Sequence, residues 1–362
     1  MNTSIALNKI KGSLFGGAAG DALGGPIEPW VNDMDFIKNH FGTTRVETLV
    51  DYIDIDEPFW YFGPAPKGTY TDDTIVKNVV CNSIIKNRGR IGAEQFAKTY
   101  CDEMRREYFI RPKGQLWPGQ ALIWFKMYFY ITGQPYKEII NMPVYRDMGQ
   151  GSLPAGDAAM IISPIGLINA GDPFQAAMDA MEVSSVLQSG NQVTATAAIA
   201  AAVAVAMMPG ATLDQVFEAA VKYTDEETGD RIQRAIDLAN ASVDGEAFKK
   251  KFYDELLIKP TDALELVPEA FGLLALAKGD YVRTVVEATN FQRDVDTIAG
   301  VAGSISGAWL GLDAIPPDWV DAVRNANQDQ PGQDDLALGI YDALCHEREK
   351  QNAHIQLLDG IL

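Results

Sequence analysis

The chain has 362 residues, of which 47% are hydrophobic and 22% charged, and it carries a formal net charge of −19. This composition is typical of a globular protein. So acidic a surface repels nucleic acid and anionic membranes, which leaves a small molecule as the favoured partner. The three cysteines are far apart and form no C-x-x-C pair, which disfavours a disulfide framework and favours the cytoplasm. The first residues lack the pattern of a secretory signal.

Helical periodicity of the apolar residues runs through most of the chain and predicts an all-α protein. The candidate helices span 7–24, 74–87, 93–108, 118–132, 155–170, 173–188, 192–208, 213–224, 228–242, 245–256, 263–278, 280–288, 297–311, 316–325 and 334–356. The best strand-like alternation covers 44–52. The longest apolar stretch, 195–208, has about 14 residues, fewer than the ~20 that cross a bilayer, and predicts a buried helix. No repeat or linker divides the chain, so we expect one domain over 1–362.

The first predicted helix combines repeated glycines with an acid. Glycines recur at every fourth position there and in a later helix, at 16, 20 and 24 and at 303, 307 and 311. Residues four apart share one helix face, so this pattern predicts close backbone approach, either between helices or between a helix and a ligand. Asp21 lies in the same apolar helix, where an acid is costly unless it is paired or functional. Glu28 follows the Gly-Gly-Pro break, so we expect it on a loop. There it is either a surface acid or part of a site.

Two short acidic motifs give the strongest functional signal. Thr71–Thr74 has the sequence Thr-Asp-Asp-Thr, Asp294–Thr297 has the sequence Asp-Val-Asp-Thr, and each precedes an apolar, helix-like run. Threonine and aspartate are common helix caps, and acids in a first turn favour the helix dipole, so each motif alone has a structural explanation. Two such motifs in one chain favour a metal site equally well, since carboxylate and hydroxyl oxygens suit Mg²⁺ or Mn²⁺.

The two motifs together supply four carboxylates, whose charge matches two divalent cations. Two such ions about 3.5–4 Å apart can hold a substrate diol and polarise a water molecule. Without cations the carboxylates would repel one another and raise their own pKa values, so metal binding should stabilise the fold. The chain has three histidines and no G-x-S-x-G, H-E-x-x-H or P-loop motif. Any catalysis is therefore expected to depend on carboxylates and hydroxyls.

Three segments together resemble the ADP-ribosylglycohydrolase family. They are Gly20–Glu28 (GDALGGPIE), the Thr-Asp-Asp-Thr motif and 293–308 (RDVDTIAGVAGSISGA), and they occur in the family's order. The resemblance spans nearly the whole chain. It implies a compact, all-α, single-domain orthogonal helical bundle with a central cleft for two Mg²⁺ or Mn²⁺ ions. The implied reaction is hydrolysis of an ADP-ribosyl bond at the anomeric carbon of ribose, through an oxocarbenium-like state.

The resemblance also implies a role for individual residues. The metal ligands that match the family motifs are Thr71, Asp72, Asp73, Asp294, Asp296 and Thr297. Glu28 matches a glutamate that lies over the cleft and controls access, and Asp21 matches an acid beside the cleft. We expect Asp73, Glu28 and Asp296 to be catalytic, with Asp73 as the base near the attacking water. The expected substrate contacts are Asp21, Glu28 and Asp157.

Two segments depart from the family pattern. Where the family often has Asn, Gly and Arg, this chain has Gly156, Asp157 and Ile161, and a family Thr-His is absent from 188–192. Losing an arginine and gaining an aspartate makes the cleft less suited to a pyrophosphate. Two alternatives therefore stay open. One is an N-ribosyl or nucleoside-type hydrolase of a small metabolite, and the other is a catalytically silent ligand-binding or structural relative.

Two aromatic groups are candidates for stacking on a base, although ordinary packing is the simpler explanation. They are Phe59, Trp60, Tyr61 and Phe62 in a Pro/Gly-rich loop, and Trp117, Trp124 and Phe125 further on. The last predicted helix, 334–356, offers a surface for a partner, and a homo-oligomer is compatible with the sequence.

Overall fold

A computed structural model describes residues 4–28, 31, 33–53, 64–103 and 145–362. Within these ranges the regular elements are α-helices and short 3-10 turns, with no β-strand, which confirms the predicted all-α class. The helices are α1 (Ile5–Gly24), α2 (Met34–Phe41), α3 (Asp72–Asn87), α4 (Ala93–Glu103), α5 (Ser163–Ile168), α6 (Pro173–Ser184), α7 (Asn191–Ala206), α8 (Leu213–Lys222), α9 (Glu226–Asn240), α10 (Gly245–Glu255), α11 (Ala263–Leu276), α12 (Tyr281–Thr289), α13 (Val295–Leu310), α14 (Pro317–Ala326) and α15 (Gln333–Asp359).

Helix α1 lies in the core of the protein. Ser4 caps its first turn, and the Ser4 hydroxyl accepts a hydrogen bond from the Leu7 amide at 3.1 Å. From residue 12 to residue 24 every position is buried, as expected of a helix surrounded by others. The helix ends just before Gly25 and Pro26, because proline has no amide hydrogen with which to continue the helical ladder.

The repeated glycines bring α1 and α13 together, backbone against backbone. A Cβ atom built at Gly16 would lie 2.5 Å from the carbonyl oxygen of Gly303, and one built at Gly24 would lie 2.5 Å from the Cα atom of Asp296. These distances are too short for real side chains, so larger residues would force the two helices apart. The glycine ridge therefore serves helix packing, and it sets the second acidic motif beside the end of α1.

The buried apolar side chains of the described residues form one continuous core. Helix α7, which contains most of the alanine-rich stretch at 195–208, is buried along nearly its whole length, as predicted. Among the described helices, none combines the length and the apolar character that crossing a membrane requires. The single domain expected over 1–362 stays a prediction.

The strand-like alternation at 44–52 does not form a strand. Val46, Leu49 and Tyr52 are buried, a spacing of three residues that differs from the alternation of a strand. The backbone of Val46 also pairs with a side chain rather than with a neighbouring strand. Its amide donates to Asn290 Oδ1 at 2.9 Å, and its carbonyl oxygen accepts from Asn290 Nδ2 at 2.8 Å. One asparagine thus satisfies the backbone groups that a β-ladder would otherwise pair.

Two further helix predictions need correction. The predicted helix at 155–170 is instead a 3-10 turn at Gly156–Ala158 followed by α5, because Pro164 fits only the first turn of a helix. Helix α2 was not predicted; it has only eight residues, and its N-cap is Asp33, whose side chain accepts a hydrogen bond from the Phe36 amide at 2.9 Å. The predicted helix at 118–132 and the end of the one at 93–108 lie outside the described residues.

Candidate metal centre

The first acidic motif is fixed at the start of α3 by helix capping. Thr71 is the N-cap, and its Oγ1 accepts a hydrogen bond from the Asp73 amide at 3.2 Å. Asp21 on α1 supplies the remaining acceptors. Its Oδ1 accepts from the Thr71 amide at 2.9 Å, and its Oδ2 accepts from the Thr74 amide at 3.0 Å and the Thr74 hydroxyl at 2.6 Å. These bonds satisfy amides that the first turn of a helix leaves unpaired.

Asp21 is fully buried, and the three bonds from α3 engage both of its oxygens. No surface of this side chain is left for a substrate. We therefore replace the substrate contact expected for Asp21 by a positioning role, in which it holds the Thr-Asp-Asp-Thr motif against α1. The free-energy cost of burying this acid in an apolar helix is offset by its hydrogen bonds to a second helix.

The second acidic motif begins α13, but capping does not explain its acids. Asp294 occupies the N-cap position and makes no side-chain capping bond. Instead its carboxyl group lies beside that of Asp296, with carboxylate oxygens of the two residues within 4.8 Å of each other. The Oδ2 atom of Asp296 accepts a hydrogen bond from Thr71 Oγ1 at 3.3 Å, which joins the two motifs directly. The structure thus brings together segments that lie 225 residues apart in the chain.

Glu28 completes the cluster. It lies four residues beyond the end of α1 and is half-buried. Carboxylate oxygens of Glu28, Asp294 and Asp296 all lie within 4.8 Å of one another, a spacing that a cation could bridge. Glu28, which was predicted to follow the Gly-Gly-Pro break, therefore lies in the acidic site next to the second motif and is not an isolated surface acid.

Burial and mutual repulsion hold these carboxyl groups above their ordinary pKa values. Burial, then the charges of Asp296 and Asp21, raise the pKa of Asp72 to about 7. Burial, then the charge of Asp21, raise the pKa of Asp296 to about 6. The pKa values of Asp73, Asp294 and Glu28 are raised well above the ordinary range by burial and then by neighbouring carboxylates. Such a cluster is stable in its ionised form only with compensating positive charge.

Two unpartnered oxygens fit a cation at this place. Asp73 Oδ2 and Asp296 Oδ1 are both buried and accept no hydrogen bond within the described part of the chain. Leaving a buried carboxylate oxygen unpaired is costly, so a bound cation is the natural partner for each. The surrounding donors are carboxylate and hydroxyl oxygens, which suit Mg²⁺ or Mn²⁺ better than zinc or copper. The residues present therefore fit the metals that the family resemblance implies.

A buried ion pair supports the segment that leads into the second motif. Arg293 Nε donates to Glu265 Oε1 at 2.6 Å, and Glu265 on α11 is fully buried. The guanidinium of Arg293 also lies over the Tyr253 ring, 5.8 Å from its centroid. Because Arg293 is adjacent to Asp294, these contacts restrict the backbone from which the second motif begins. Sequence reasoning missed Glu265, since nothing local marks its distant partner.

The two departures from the family pattern meet in the structure. Asp157, half-buried in its 3-10 turn, accepts a hydrogen bond from Gln188 Nε2 at 2.8 Å. Burial raises the pKa of Asp157 to about 7, and its charge also contributes to the raised pKa of Asp72. Ile161, by contrast, is fully buried in the core. An apolar core side chain thus stands where the family often has an arginine, and the effect of this loss on a pyrophosphate stays a prediction.

Two further residues border the site without having been predicted. Tyr52 lies beside Gly25 and Thr71, since a Cβ atom built at Gly25 would meet both side chains. Lys77 on α3 is buried near Asp21 and Asp73. A lysine four residues after an acid on one helix is a pattern that could have pointed to it. The aromatic candidates at 59–62, and those at 117, 124 and 125, lie outside the described residues.

Comparisons with known proteins identify the family of this chain and its fold. A family model described as ADP-ribosylglycohydrolase matches residues 2–353. The ADP-ribosylhydrolase ARH3 of Danio rerio is 23% identical and covers 96% of this chain and 95% of its own length, and the protein YegU of Escherichia coli (strain K12) is 27% identical over 88% of this chain and 93% of its own. A solved ADP-ribosylglycohydrolase-related protein complex shares the fold, with a TM-score of 0.62 at 18% identity over 94% of this chain and 99% of that one. The chain belongs to the ADP-ribosylglycohydrolase family.

Proposed function

We propose that this chain is a metal-dependent enzyme that hydrolyses the bond between an ADP-ribosyl group and its acceptor at the anomeric carbon of ribose. Membership of the family and similarity to ARH3 indicate a glycohydrolase. The observation that carries the proposal is the convergence of Glu28, Asp294 and Asp296 beside Thr71, on elements far apart in the chain. A purely structural set of helix caps would not bring these carboxylates within 4.8 Å of one another.

We assign two Mg²⁺ or Mn²⁺ ions to this site. The proposed ligands come from the starts of α3 and α13: Thr71, Asp72, Asp73, Asp294, Asp296 and Thr297. Ions bound there would supply positive charge that orients the ribose hydroxyls and acidifies a water molecule. Four carboxylates offset the charge of two divalent ions, and Glu28 adds a fifth. The surplus negative charge would favour the oxocarbenium-like character that develops on the ribose.

Glu28 is the proton acceptor that the geometry favours. It is half-buried, whereas Asp73 is only 5% exposed and its Oδ2 is closed off from solvent. Burial and nearby carboxylates hold the pKa of Glu28 well above its ordinary range, which brings it nearer the pH at which a base works. A water oxygen attacks the anomeric carbon and a water proton passes to Glu28. The electron pair of the broken bond goes to the acceptor, which then takes up the proton that Glu28 received. Asp73, which the sequence favoured as the base, is assigned with Asp296 to holding the cations.

The test is a hydrolysis assay with an ADP-ribosylated peptide and a panel of nucleosides. Each substrate is incubated with the chain in Mg²⁺, in Mn²⁺ and in EDTA, and release of the free ribose reducing end is measured. We expect turnover of an ADP-ribosyl substrate that EDTA abolishes and added metal restores. Turnover that persists undiminished in EDTA would refute the metal-dependent mechanism.

One observation favours a second candidate, hydrolysis of a small N-riboside. Asp157 and its partner Gln188 place a negative group near Asp72, where an anionic pyrophosphate would be repelled. If a neutral riboside is the substrate, nucleosides should be cleaved faster than ADP-ribosyl compounds. Asp157→Asn should then raise the rate with ADP-ribosyl compounds relative to nucleosides, because it removes the negative charge and keeps a side chain of the same size and planar shape.

We propose that the chain works in the cytoplasm on a small riboside or an ADP-ribosylated substrate, and that it binds neither nucleic acid nor membranes. The cysteines support a reducing compartment, since all three are free and Cys81 and Cys101 are buried. Cell fractionation tests the location, and gel filtration of the purified chain tests whether it forms a homo-oligomer.

A further inference from the structure

We propose that Lys77 is a built-in cation that holds the acidic site together when no metal is bound, and that it lowers the affinity of the site for divalent cations. This inference depends on the proposed metal site. Lys77 is on α3, four residues after Asp73, and only 1% of its surface is exposed. Burying a charged lysine is costly unless the charge is paired or hydrogen-bonded, so the buried position of Lys77 requires an explanation.

Three helices enclose the ammonium group of Lys77. A Cβ atom built at Gly17 on α1 would lie 2.5 Å from Lys77 Nζ, and the hydroxyl of Ser304 on α13 lies beside the same point. Gly17 also faces α13, since the same Cβ atom would lie 3.1 Å from the carbonyl oxygen of Gly300, so this glycine serves both the helix contact and the ammonium group. Its missing side chain leaves the space that the ammonium group fills. The lysine head is therefore accommodated by α1, α3 and α13 together.

The charges around this ammonium group belong to the acidic site. Asp21 and Asp73 stabilise the charged form of Lys77, while burial acts in the opposite direction and lowers its pKa. In return, the charge of Lys77 favours the ionised form of Asp21, the acid that holds the Thr-Asp-Asp-Thr motif in place. Lys77 is thus a positioning residue that offsets the repulsion among the carboxylates from within the fold.

A second buried lysine shows what a purely structural role looks like. Lys9, near the start of α1, donates to the carbonyl oxygens of Ala206, Ala308 and Trp309 at 2.7, 3.3 and 2.6 Å. It lies twelve residues from Asp21, which is about 18 Å along a helix. Its hydrogen bonds go to carbonyl groups at the ends of α7 and α13, and no carboxylate perturbs its pKa. Lys9 therefore provides a matched control for Lys77.

Removing the charge of Lys77 should have opposite effects on the two states of the site. Without metal, the carboxylates would lose their internal counter-charge and repel one another more strongly, so the metal-free protein should be less stable. With metal, the bound cations would no longer be repelled by a nearby ammonium group, so they should bind more tightly. A role in packing alone would lower stability equally in both states and leave the affinity unchanged.

The experiment compares the full chain with Lys77→Met and Lys9→Met, since methionine fills similar space without charge. Mn²⁺ binding is measured by calorimetric titration, and thermal unfolding is recorded in EDTA and in saturating Mg²⁺. For Lys77→Met we expect a melting temperature that falls further in EDTA than in Mg²⁺, and a Kd for Mn²⁺ that falls by on the order of tenfold. For Lys9→Met we expect equal losses in both conditions and an unchanged Kd.

Three results would overturn the proposal for Lys77. They are an unchanged or weaker Mn²⁺ affinity, an equal loss of melting temperature in EDTA and Mg²⁺, and failure of Lys77→Met to fold in either condition. A double variant with Asp21→Asn gives an independent check, because removing both charges should destabilise the metal-free protein less than the sum of the single changes. If the unmodified chain binds no Mn²⁺ at all, the proposed metal site itself fails, which is a distinct outcome.

Discussion

The two acidic motifs occupy the same place on two helices, yet different contacts hold them. The start of α3 is capped by Thr71 and by the buried carboxylate of Asp21, so its own acids are not needed for capping. The start of α13 has no side-chain cap at Asp294 and is held instead by close backbone packing against Gly24. In both cases the helix is secured by groups other than the motif's own carboxylates. That arrangement leaves the acids available to bind cations.

The largest expected effect comes from removing one carboxylate from each motif. Asp72→Ala and Asp296→Ala should each lower kcat/KM by about 10²–10³-fold or more, the size of the loss when a group that stabilises charge in the transition state is removed. Helical content by circular dichroism should survive, because neither carboxylate caps its helix.

Asp318→Ala is the matched control for these variants. Asp318 also lies in the first turn of a helix, α14, but it is exposed and belongs to neither motif. Its variant should keep full activity. Full activity of Asp72→Ala or Asp296→Ala would instead show that the motif in question serves only its helix.

A smaller effect is expected at Glu28, which neither motif contains. Glu28→Gln removes the proposed proton acceptor while keeping a similar shape, so kcat should fall by roughly 10²-fold with little change in KM. Mn²⁺ should still bind, because both motifs are intact. A rise in KM at constant kcat would instead assign Glu28 to substrate access, as the resemblance implied.

The glycine contact between α1 and α13 should matter for stability along its whole length, but for activity only at the end next to Asp296. Gly24→Ala would push against the Asp296 backbone, and we expect a loss of about 1–3 kcal/mol in unfolding free energy together with reduced activity. Gly12→Ala meets the Gly307 carbonyl at the far end of the same contact, so it should cost similar stability and leave activity intact below its melting temperature. Equal loss of activity in both variants would contradict this division.

The smallest effect concerns pH in the absence of metal. The pKa values of Asp72 and Asp296 in the folded protein are raised to about 7 and about 6, above the values these groups have when unfolded. The stability that such groups contribute is fully present below the unfolded pKa and is lost as pH rises through the folded pKa. In EDTA the melting temperature should therefore fall as the pH rises from about 4 to about 7 and level off above that.

Saturating Mg²⁺ should remove this loss, because the cations favour the ionised carboxylates. The same scan on Asp296→Asn in EDTA should be flatter, since one of the raised groups is gone. A melting temperature that is independent of pH in EDTA would show that the pKa values of these carboxylates are not raised in the folded protein.

The sequence predicted the parts of this molecule that depend on local pattern. Apolar periodicity located most of the helices, and the types of residue in the two motifs indicated oxygen ligands. The function of Asp21 could not be predicted, because its hydrogen bonds go to a motif fifty residues away. The strand expected at 44–52 failed for the same reason, since the partner of Val46 is the side chain of Asn290, 244 residues further on.

The most direct test of the central claim is a calorimetric titration of the metal-free chain with Mn²⁺, in parallel with Asp296→Ala and Asp318→Ala. We predict saturable binding of two ions per chain, lost or strongly weakened in Asp296→Ala and unchanged in Asp318→Ala. Absence of saturable binding in the unmodified chain, or equal binding in all three proteins, would contradict a metal centre built from the two acidic motifs.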